Sequence, residues 1–131
     1  MQKISIIIPC YNEEKSLPLY FECVNTVINN IKDYEFEFVL VNDGSNDNTL
    51  SVMNDLYNQR NDIMIVSLSR NFGQNAAFSA GLKVCNGDYA ITMDSDLQDP
   101  VNLIQKIAEK FSEGYEVVNP HRVDRSTDSF F

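Results

Sequence analysis

The sequence is poor in the residue types that several common kinds of site require. Its 131 residues include no tryptophan, one histidine and three cysteines. A single histidine, His121, cannot by itself anchor a histidine-based metal site or a catalytic triad. The cysteines Cys10, Cys23 and Cys85 are odd in number and lack a C-x-x-C spacing, so neither a disulfide framework nor a zinc site is indicated. This cysteine pattern favours a reducing cytosolic setting.

Basic charge and long apolar runs are also scarce. Ten Lys and Arg residues against nineteen Asp and Glu residues give a net charge of −9. This balance disfavours nucleic acid or anionic lipid as a partner of the general surface, so any anionic ligand must be met locally. No apolar run approaches the roughly 18 residues that span a bilayer, and the N-terminus lacks a signal-peptide pattern. We therefore expect the chain as given to be soluble.

What the sequence does contain is enough apolar residue, 44% of the total, for one core and hence one domain. Strand-like and helix-like segments alternate strictly along the chain. The predicted strands are 4–9, 35–41, 63–69, 89–94 and 115–119, and the predicted helices follow the first four strands, with Ser16 and Asp99 as the N-caps of the first and last helix. This alternation predicts a doubly wound α/β fold with a parallel sheet.

Polar clusters follow the first four predicted strands. They read PCYNE, NDGS, SRNFGQN and DSDLQD. Because ligands of doubly wound sheets bind outside the carboxyl ends of the strands, we expect these clusters to converge on one edge. Considered alone, each has a simpler explanation: Asn12, Asp43 and Gly44 are ordinary turn residues, and Asp99 is a helix cap.

The pair Asp94 and Asp96 is harder to explain as a turn. Two carboxylates one residue apart repel each other unless protons or a cation intervene. Mg²⁺ is usually held by one or two carboxylates together with water and phosphate oxygens, and Mn²⁺ accepts the same ligands. The sequence therefore predicts a divalent cation facing a diphosphate, with a chance acidic turn as the alternative.

Four segments in register carry a family resemblance. They are IIIPCYNEEKSL, FVLVNDGSNDNTL, LSRNFGQNAAFSAGL and DYAITMDSDLQDP. Together they resemble the family 2 glycosyltransferases of GT-A fold, in the branch of dolichyl-phosphate mannose synthases and bacterial undecaprenyl-phosphate sugar transferases. The resemblance runs from Ile4 to Phe131. It implies inverting, metal-dependent transfer of a sugar from UDP-glucose or a similar nucleotide sugar to a polyprenyl phosphate.

The resemblance also implies roles for individual residues. Those expected to bind the nucleotide sugar are Pro9, Tyr11, Asn12, Glu13, Asp43, Arg70, Gly73, Asp94 and Ser95. Asp94 and Asp96 are expected to be catalytic, with Mg²⁺ or Mn²⁺ held by Asp96 and Gln98. Arg122 and Arg125 are expected to meet the acceptor phosphate, for which guanidinium groups are suited.

The chain departs from the residues usual in the family at four positions, one of which is Asp99, where histidine is common. Its second loop reads Asn42-Asp43 where many members have two aspartates, and Gln74 stands where lysine is frequent. The acidic element is Asp-Ser-Asp, with Ser95 in place of the usual alanine. The second-loop carboxylate is retained, so nucleotide binding is expected to be intact, whereas the change at Gln74 removes one candidate cation for the diphosphate.

Other functions remain as alternatives. A family 2 transferase acting on a hydroxyl would need a carboxylate base, and the sequence assigns none. A nucleotide-sugar-binding module without activity would share the fold. A response-regulator receiver would need acidic residues where Pro9-Cys10 and Ser69-Arg70 stand, and a nucleotidyltransferase would need a basic glycine-rich first loop.

The similar proteins continue well past this length. We expect residues 1–131 to form the catalytic domain with its donor half complete, and the acceptor side and membrane segments to lie elsewhere. The full-length protein is then expected at the cytoplasmic face of the membrane. No nucleic-acid partner is expected, and the terminal aromatic pair Phe130-Phe131 leaves a homo-oligomer open.

Overall fold

The computed structural model describes residues 1–96 and 100–114. Within those residues, four strands and four helices alternate as predicted. They are β1 (Gln2–Cys10), α1 (Ser16–Asn30), β2 (Tyr34–Asn42), α2 (Thr49–Gln59), β3 (Ile63–Ser67), α3 (Gln74–Val84), β4 (Tyr89–Thr92) and α4 (Pro100–Ser112). The predicted fifth strand, 115–119, lies outside the described residues.

The strands form one parallel sheet in the order β3-β2-β1-β4. From β1 the chain first moves outward through β2 to β3, and it then returns to the other side of β1 to form β4. The strand order therefore reverses between β1 and β4. In open α/β sheets this reversal opens a crevice outside the carboxyl ends of the two strands, and ligands bind there.

Both faces of the sheet are covered, which confirms the doubly wound prediction. Alternate residues of β1 point to opposite faces, so Ile6 belongs to the apolar cluster that residues of α1, α2 and α4 also form, whereas Ile7 packs against α3. This explains the unbroken run Ile6, Ile7 and Ile8 in β1, since a strand buried on both sides favours apolar residues at successive positions. None of the helices in the described part of the chain combines the length and apolarity needed to cross a bilayer.

Several predicted boundaries are wrong by one or two residues. β1 is Gln2–Cys10 rather than 4–9, and β2 is Tyr34–Asn42 rather than 35–41. Ser16 is not the N-cap of α1 but its first helical residue; the cap is Lys15, which makes no side-chain capping bond. β3 ends at Ser67 rather than residue 69, because its only neighbour in the described sheet, β2, ends at the paired residue Asn42. β4 ends at Thr92 rather than residue 94, which leaves the acidic pair in the following loop. The predicted cap Asp99 lies outside the described residues.

An aromatic cluster fills the space between α1 and β2. Phe21 and Phe38 meet edge to face with ring centroids 5.0 Å apart. Arg60, just before β3, places its guanidinium 4.7 Å from the Phe21 ring centroid and forms a two-pronged bond to Asp62, with Nη2 2.8 Å from the carboxylate. At the amino edge of the sheet, the hydroxyls of Tyr34 and Ser112 lie 3.1 Å apart and link β2 to α4.

Candidate active site

A pocket of about 320 Å³ lies at the carboxyl edge of the sheet, where the strand order reverses. All four polar clusters contribute to its lining, which confirms the predicted convergence on one edge of the sheet. The predicted site residues that line it are Pro9, Tyr11, Glu13, Asp43, Gly73, Asp94, Ser95 and Asp96. Gln98, Arg122 and Arg125 lie outside the described residues.

Asn12 and Arg70 do not line the pocket. Asn12 has a positive φ of 56°, and its side-chain oxygen accepts the backbone N–H groups of Asn46 and Asp47 at 2.8 and 3.3 Å. Its own N–H donates to the Ser45 hydroxyl at 3.0 Å. The side-chain oxygen of Asn12 is therefore occupied in holding the first loop against the second. The Arg70 guanidinium lies 4.2 Å from the ring centroid of its neighbour Phe72.

The second loop in turn holds the third. Asp43 is buried, and its two carboxylate oxygens accept the backbone N–H groups of Phe72 at 2.8 Å and Gly73 at 3.1 Å. Gly44 has a φ of 71°, and a Cβ built on it would lie 2.3 Å from the backbone of Arg70 and Asn71. Only glycine allows the loops to approach so closely, so the pair Asp43-Gly44 positions the third loop at the pocket wall.

The acidic pair behaves as its sequence suggests. Burial and the nearby charge of Asp96 raise the pKa of Asp94 above its ordinary value, and a hydrogen bond from Gln74 Nε2 to Asp94 Oδ1, 2.7 Å long, opposes the rise. Asp96 is exposed and has no hydrogen-bond partner among the described residues. The two carboxylates thus bring negative charge to the pocket that their described neighbours do not neutralise.

This donor set suits a hard cation. Among the described residues, the pocket lining has no lysine or arginine beside Asp94 and Asp96, and carboxylate oxygen is the preferred ligand of Mg²⁺ and Mn²⁺. Residues 1–96 and 100–114 hold no group of three or more His, Cys, Asp or Glu side chains arranged around a common point. A cation here would therefore complete its coordination with water and ligand oxygens, as Mg²⁺ commonly does.

Three lining residues were not among the predicted ligands: Cys10, Asn71 and Gln74. Burial, followed by the charge of Glu13, raises the pKa of the Cys10 thiol to about 12, so it is a neutral residue at the pocket floor. The other two belong to the cluster SRNFGQN, whose position after a strand was the available signal. Which of its side chains face the pocket depends on how Asp43 holds the loop.

The serine between the two aspartates is also fixed. Ser95 is buried, and its hydroxyl oxygen lies 3.2 Å from that of Ser16 in the first turn of α1. Ser16 donates to Oε2 of Glu13 at 2.5 Å. A chain of hydroxyl groups thus joins the loop after β4 to the loop after β1.

The fold and the pocket together define an α/β protein with a polar, acidic pocket outside the carboxyl ends of its strands, where open α/β sheets bind their ligands. The chain belongs to glycosyl transferase family 2, whose model matches residues 5–131. This confirms the family inferred from the four sequence motifs and places the chain among glycosyltransferases.

Curated relatives are similar over nearly the whole chain. A bactoprenol glucosyl transferase of Shigella phage SfX is 41% identical over 96% of this chain and 41% of its own length. An undecaprenyl-phosphate 4-deoxy-4-formamido-L-arabinose transferase of Photorhabdus laumondii is 39% identical over 100% of this chain and 40% of its own length. The chain therefore spans about two fifths of the length of these relatives.

Solved structures share the fold and confirm the GT-A architecture. S. aureus TarS in complex with UDP has a TM-score of 0.65 at 28% identity, covering 85% of this chain and 32% of that chain. The mannosyltransferase PcManGT of Pyrobaculum calidifontis, in complex with GDP-Man and Mn²⁺, has a TM-score of 0.70 at 20% identity, covering 82% and 32%.

Proposed function

We propose that the pocket binds a nucleoside-diphosphate sugar, and that the protein transfers glucose or a similar sugar from it to a polyprenyl phosphate. The observation that carries the proposal is the convergence of four loops at the strand-order reversal, with an acidic pair on the β4 side and the first loop on the β1 side. The names of the curated relatives supply the substrate class, and the UDP complex of TarS supports a uridine nucleotide.

The two sides of the pocket would bind different parts of the donor. Pro9, Tyr11 and Glu13 line the side that β1 leads into, together with Asp43 from the second loop, and they would hold the base and ribose. Gly73 lies at the start of α3, whose N-terminal end favours negative charge and would face the diphosphate.

The acidic pair would take the metal side of the donor. Asp96, together with Gln98, would hold Mg²⁺ or Mn²⁺, and Asp94 would contact the sugar-diphosphate. The bound cation would supply positive charge that stabilises the departing nucleoside diphosphate. The residues' own contribution is to fix that position: the bond from Gln74 orients Asp94, and the buried Ser95 anchors the loop between the two carboxylates.

A lipid phosphate acceptor needs little activation. The second pKa of a phosphate monoester is about 6, so the attacking oxygen is already anionic near neutral pH. Catalysis then consists of holding this oxygen in line with the anomeric carbon, and a single in-line displacement inverts the configuration. Arg122 and Arg125 would hold the acceptor phosphate. The lipid acceptor would place the reaction at a membrane surface, and the water-soluble nucleotide-sugar donor favours the cytoplasmic face.

Donor binding is tested by calorimetry of the chain with UDP and with GDP, each with Mn²⁺ and with EDTA. We expect UDP to bind in Mn²⁺ and Asp96→Asn to lose most of the gain that the metal provides. Asp55→Asn is the matched control, since Asp55 is an exposed residue of α2 that does not line the pocket. Undetectable binding of both nucleotides in Mn²⁺ would refute the proposal.

Transfer is tested with UDP-glucose and undecaprenyl phosphate as substrates of the full-length protein. The expected product is undecaprenyl-phosphate glucose, in which the anomeric configuration of the sugar is inverted relative to the donor. Donor binding without transfer to this lipid, but with transfer to a hydroxyl acceptor, would contradict the acceptor and keep the donor site. Donor binding with no transfer at all would identify a binding module.

A further inference from the structure

A chain of hydrogen bonds beside the pocket runs from Ser95 through Ser16 to Glu13. Its direction follows from hydrogen-bonding capacity. A carboxylate only accepts, so the single proton of the Ser16 hydroxyl goes to Glu13, and the Ser16 oxygen is left to accept from Ser95. The thiol of Cys10 also lies beside Ser95, but neutral sulfur is a weak acceptor and its proton points to the carbonyl of Ile8.

This chain of hydroxyl groups joins two parts of the fold that are far apart in sequence, since Ser16 and Ser95 are separated by 79 residues. Ser95 lies between the two aspartates proposed to face the metal, and Glu13 lies on the side of the pocket proposed to hold the ribose. Ser16 bonds Oε2 of Glu13, and no described residue donates to Oε1. One oxygen of Glu13 is therefore fixed by the protein, while the other remains available in a residue that lines the pocket.

We propose that Ser95 is a positioning residue that couples the two halves of the donor site through Ser16 and Glu13. When the metal side of the pocket is occupied, the loop carrying Ser95 is held in place. That constraint passes through the two hydroxyls to the Glu13 carboxylate, which is then oriented for the ribose. This inference rests on the proposed donor site, and it assigns Ser95 and Ser16 a role in nucleotide affinity rather than in stability alone.

The coupling predicts a specific pattern among variants in calorimetry with UDP. Ser95→Ala should weaken UDP binding in Mn²⁺ about fivefold, the equivalent of about 1 kcal/mol for one net hydrogen bond. Ser16→Ala should weaken it more, because it also frees Glu13. The double variant should bind no worse than Ser16→Ala, since the two residues act through one chain.

A second readout separates coupling from a merely structural role. The ratio of the UDP dissociation constant in EDTA to that in Mn²⁺ measures how far metal and nucleotide assist each other, and this ratio should fall in both single variants. Ser112→Ala is the matched control, because it removes a hydroxyl from a hydroxyl pair at the opposite edge of the sheet. It should change neither the affinity nor the ratio by more than about twofold.

The outcomes are distinguishable. Additive losses from the two serines, or an unchanged metal ratio, would overturn the coupling while leaving the donor site intact. Should Ser95→Ala fold poorly, Ser16→Ala breaks the same link from α1, and an unchanged ratio in that variant is decisive. Failure of the unmodified chain to bind UDP would overturn the donor site and the coupling with it.

Discussion

Replacing Asp43 by asparagine tests whether the second loop holds the third. Asp43 is only 4% exposed, and its two oxygens accept the N–H groups of Phe72 and Gly73. The asparagine side chain has the same shape but offers one oxygen and one NH₂ group. One backbone N–H would then face another donor, so one of the two bonds is lost and a partly buried group is left unpaired.

The size of the effect can be worked from that lost bond. Leaving a buried donor unsatisfied costs about 1–3 kcal/mol, and bonds to a charged acceptor lie in the upper part of that range. We expect Asp43→Asn to lower the free energy of unfolding by about 2 kcal/mol. For a domain of this size, each kcal/mol shifts the melting temperature by about 3–5 °C, which gives a fall of about 6–10 °C.

The assay is thermal unfolding of the ligand-free chain, monitored by calorimetry. Asp55→Asn makes the same chemical change at an exposed helical position and should leave the melting temperature unchanged. Gly44→Ala should act on the same contact, because its Cβ would meet the Arg70 backbone at 2.3 Å. Its cost should therefore not add fully to that of Asp43→Asn. If Asp43→Asn loses UDP binding but melts within about 2 °C of the unmodified chain, the anchoring argument is wrong.

The remaining predictions concern packing, an ion pair and pH. Gly81→Ala should destabilise the chain by about 1–2 kcal/mol in urea unfolding, because its Cβ would lie 2.5 Å from the Ile7 side chain and overpacking outweighs the helix-propensity gain. Arg60→Ala should lower the free energy of unfolding by about 1–2 kcal/mol. In 1 M salt this loss should shrink only in part, since salt screens the ion pair but the guanidinium also lies over two aromatic rings. An Arg60→Ala variant as stable as the unmodified chain would refute this. Asp94→Asn should raise the melting temperature at pH 7 in EDTA. The folded pKa of Asp94 is raised by burial and Asp96, so its charge opposes folding at neutral pH and the gain should shrink toward pH 3.8. A gain that grows on acidification would contradict this sign.

The sequence was most informative where the pattern is repetitive. The β-branched run of β1 and the helical spacing of α1 identified a strand buried on both faces and its crossover helix, because burial imposes those periods directly. Both ends of α3, Gln74–Val84, carry local signals, since residue 74 follows a glycine and an Asn-Gly pair begins two residues after Val84. Strand ends were less predictable because they depend on the length of the neighbouring strand.

Side-chain partners distant in sequence were beyond prediction. Ser16 has the chemistry of an N-cap, but its hydroxyl bonds Ser95 and Glu13, which only the folded sheet brings beside it. Asn12 was expected to bind the nucleotide sugar, yet its side-chain oxygen accepts hydrogen bonds from two backbone N–H groups of the second loop. The motifs therefore identified the loops that form the pocket. Which side chains of each loop line the pocket, and which bond a neighbouring loop, followed only from the structure. The predicted ligand roles remain predictions, as does the oligomeric state.

The acidic lining of the pocket limits how it could bind an anion. Among the described residues its lining contains four carboxylates, Glu13, Asp43, Asp94 and Asp96, and neither lysine nor arginine. Two backbone N–H groups satisfy Asp43 and a hydroxyl satisfies part of Glu13, but the acidic pair keeps its charge and would repel a diphosphate. We therefore expect a cation to accompany the nucleotide. We expect UDP affinity to rise with Mn²⁺ and to be poor in EDTA, and equal affinity in the two buffers would show that the pocket neutralises the diphosphate by other means.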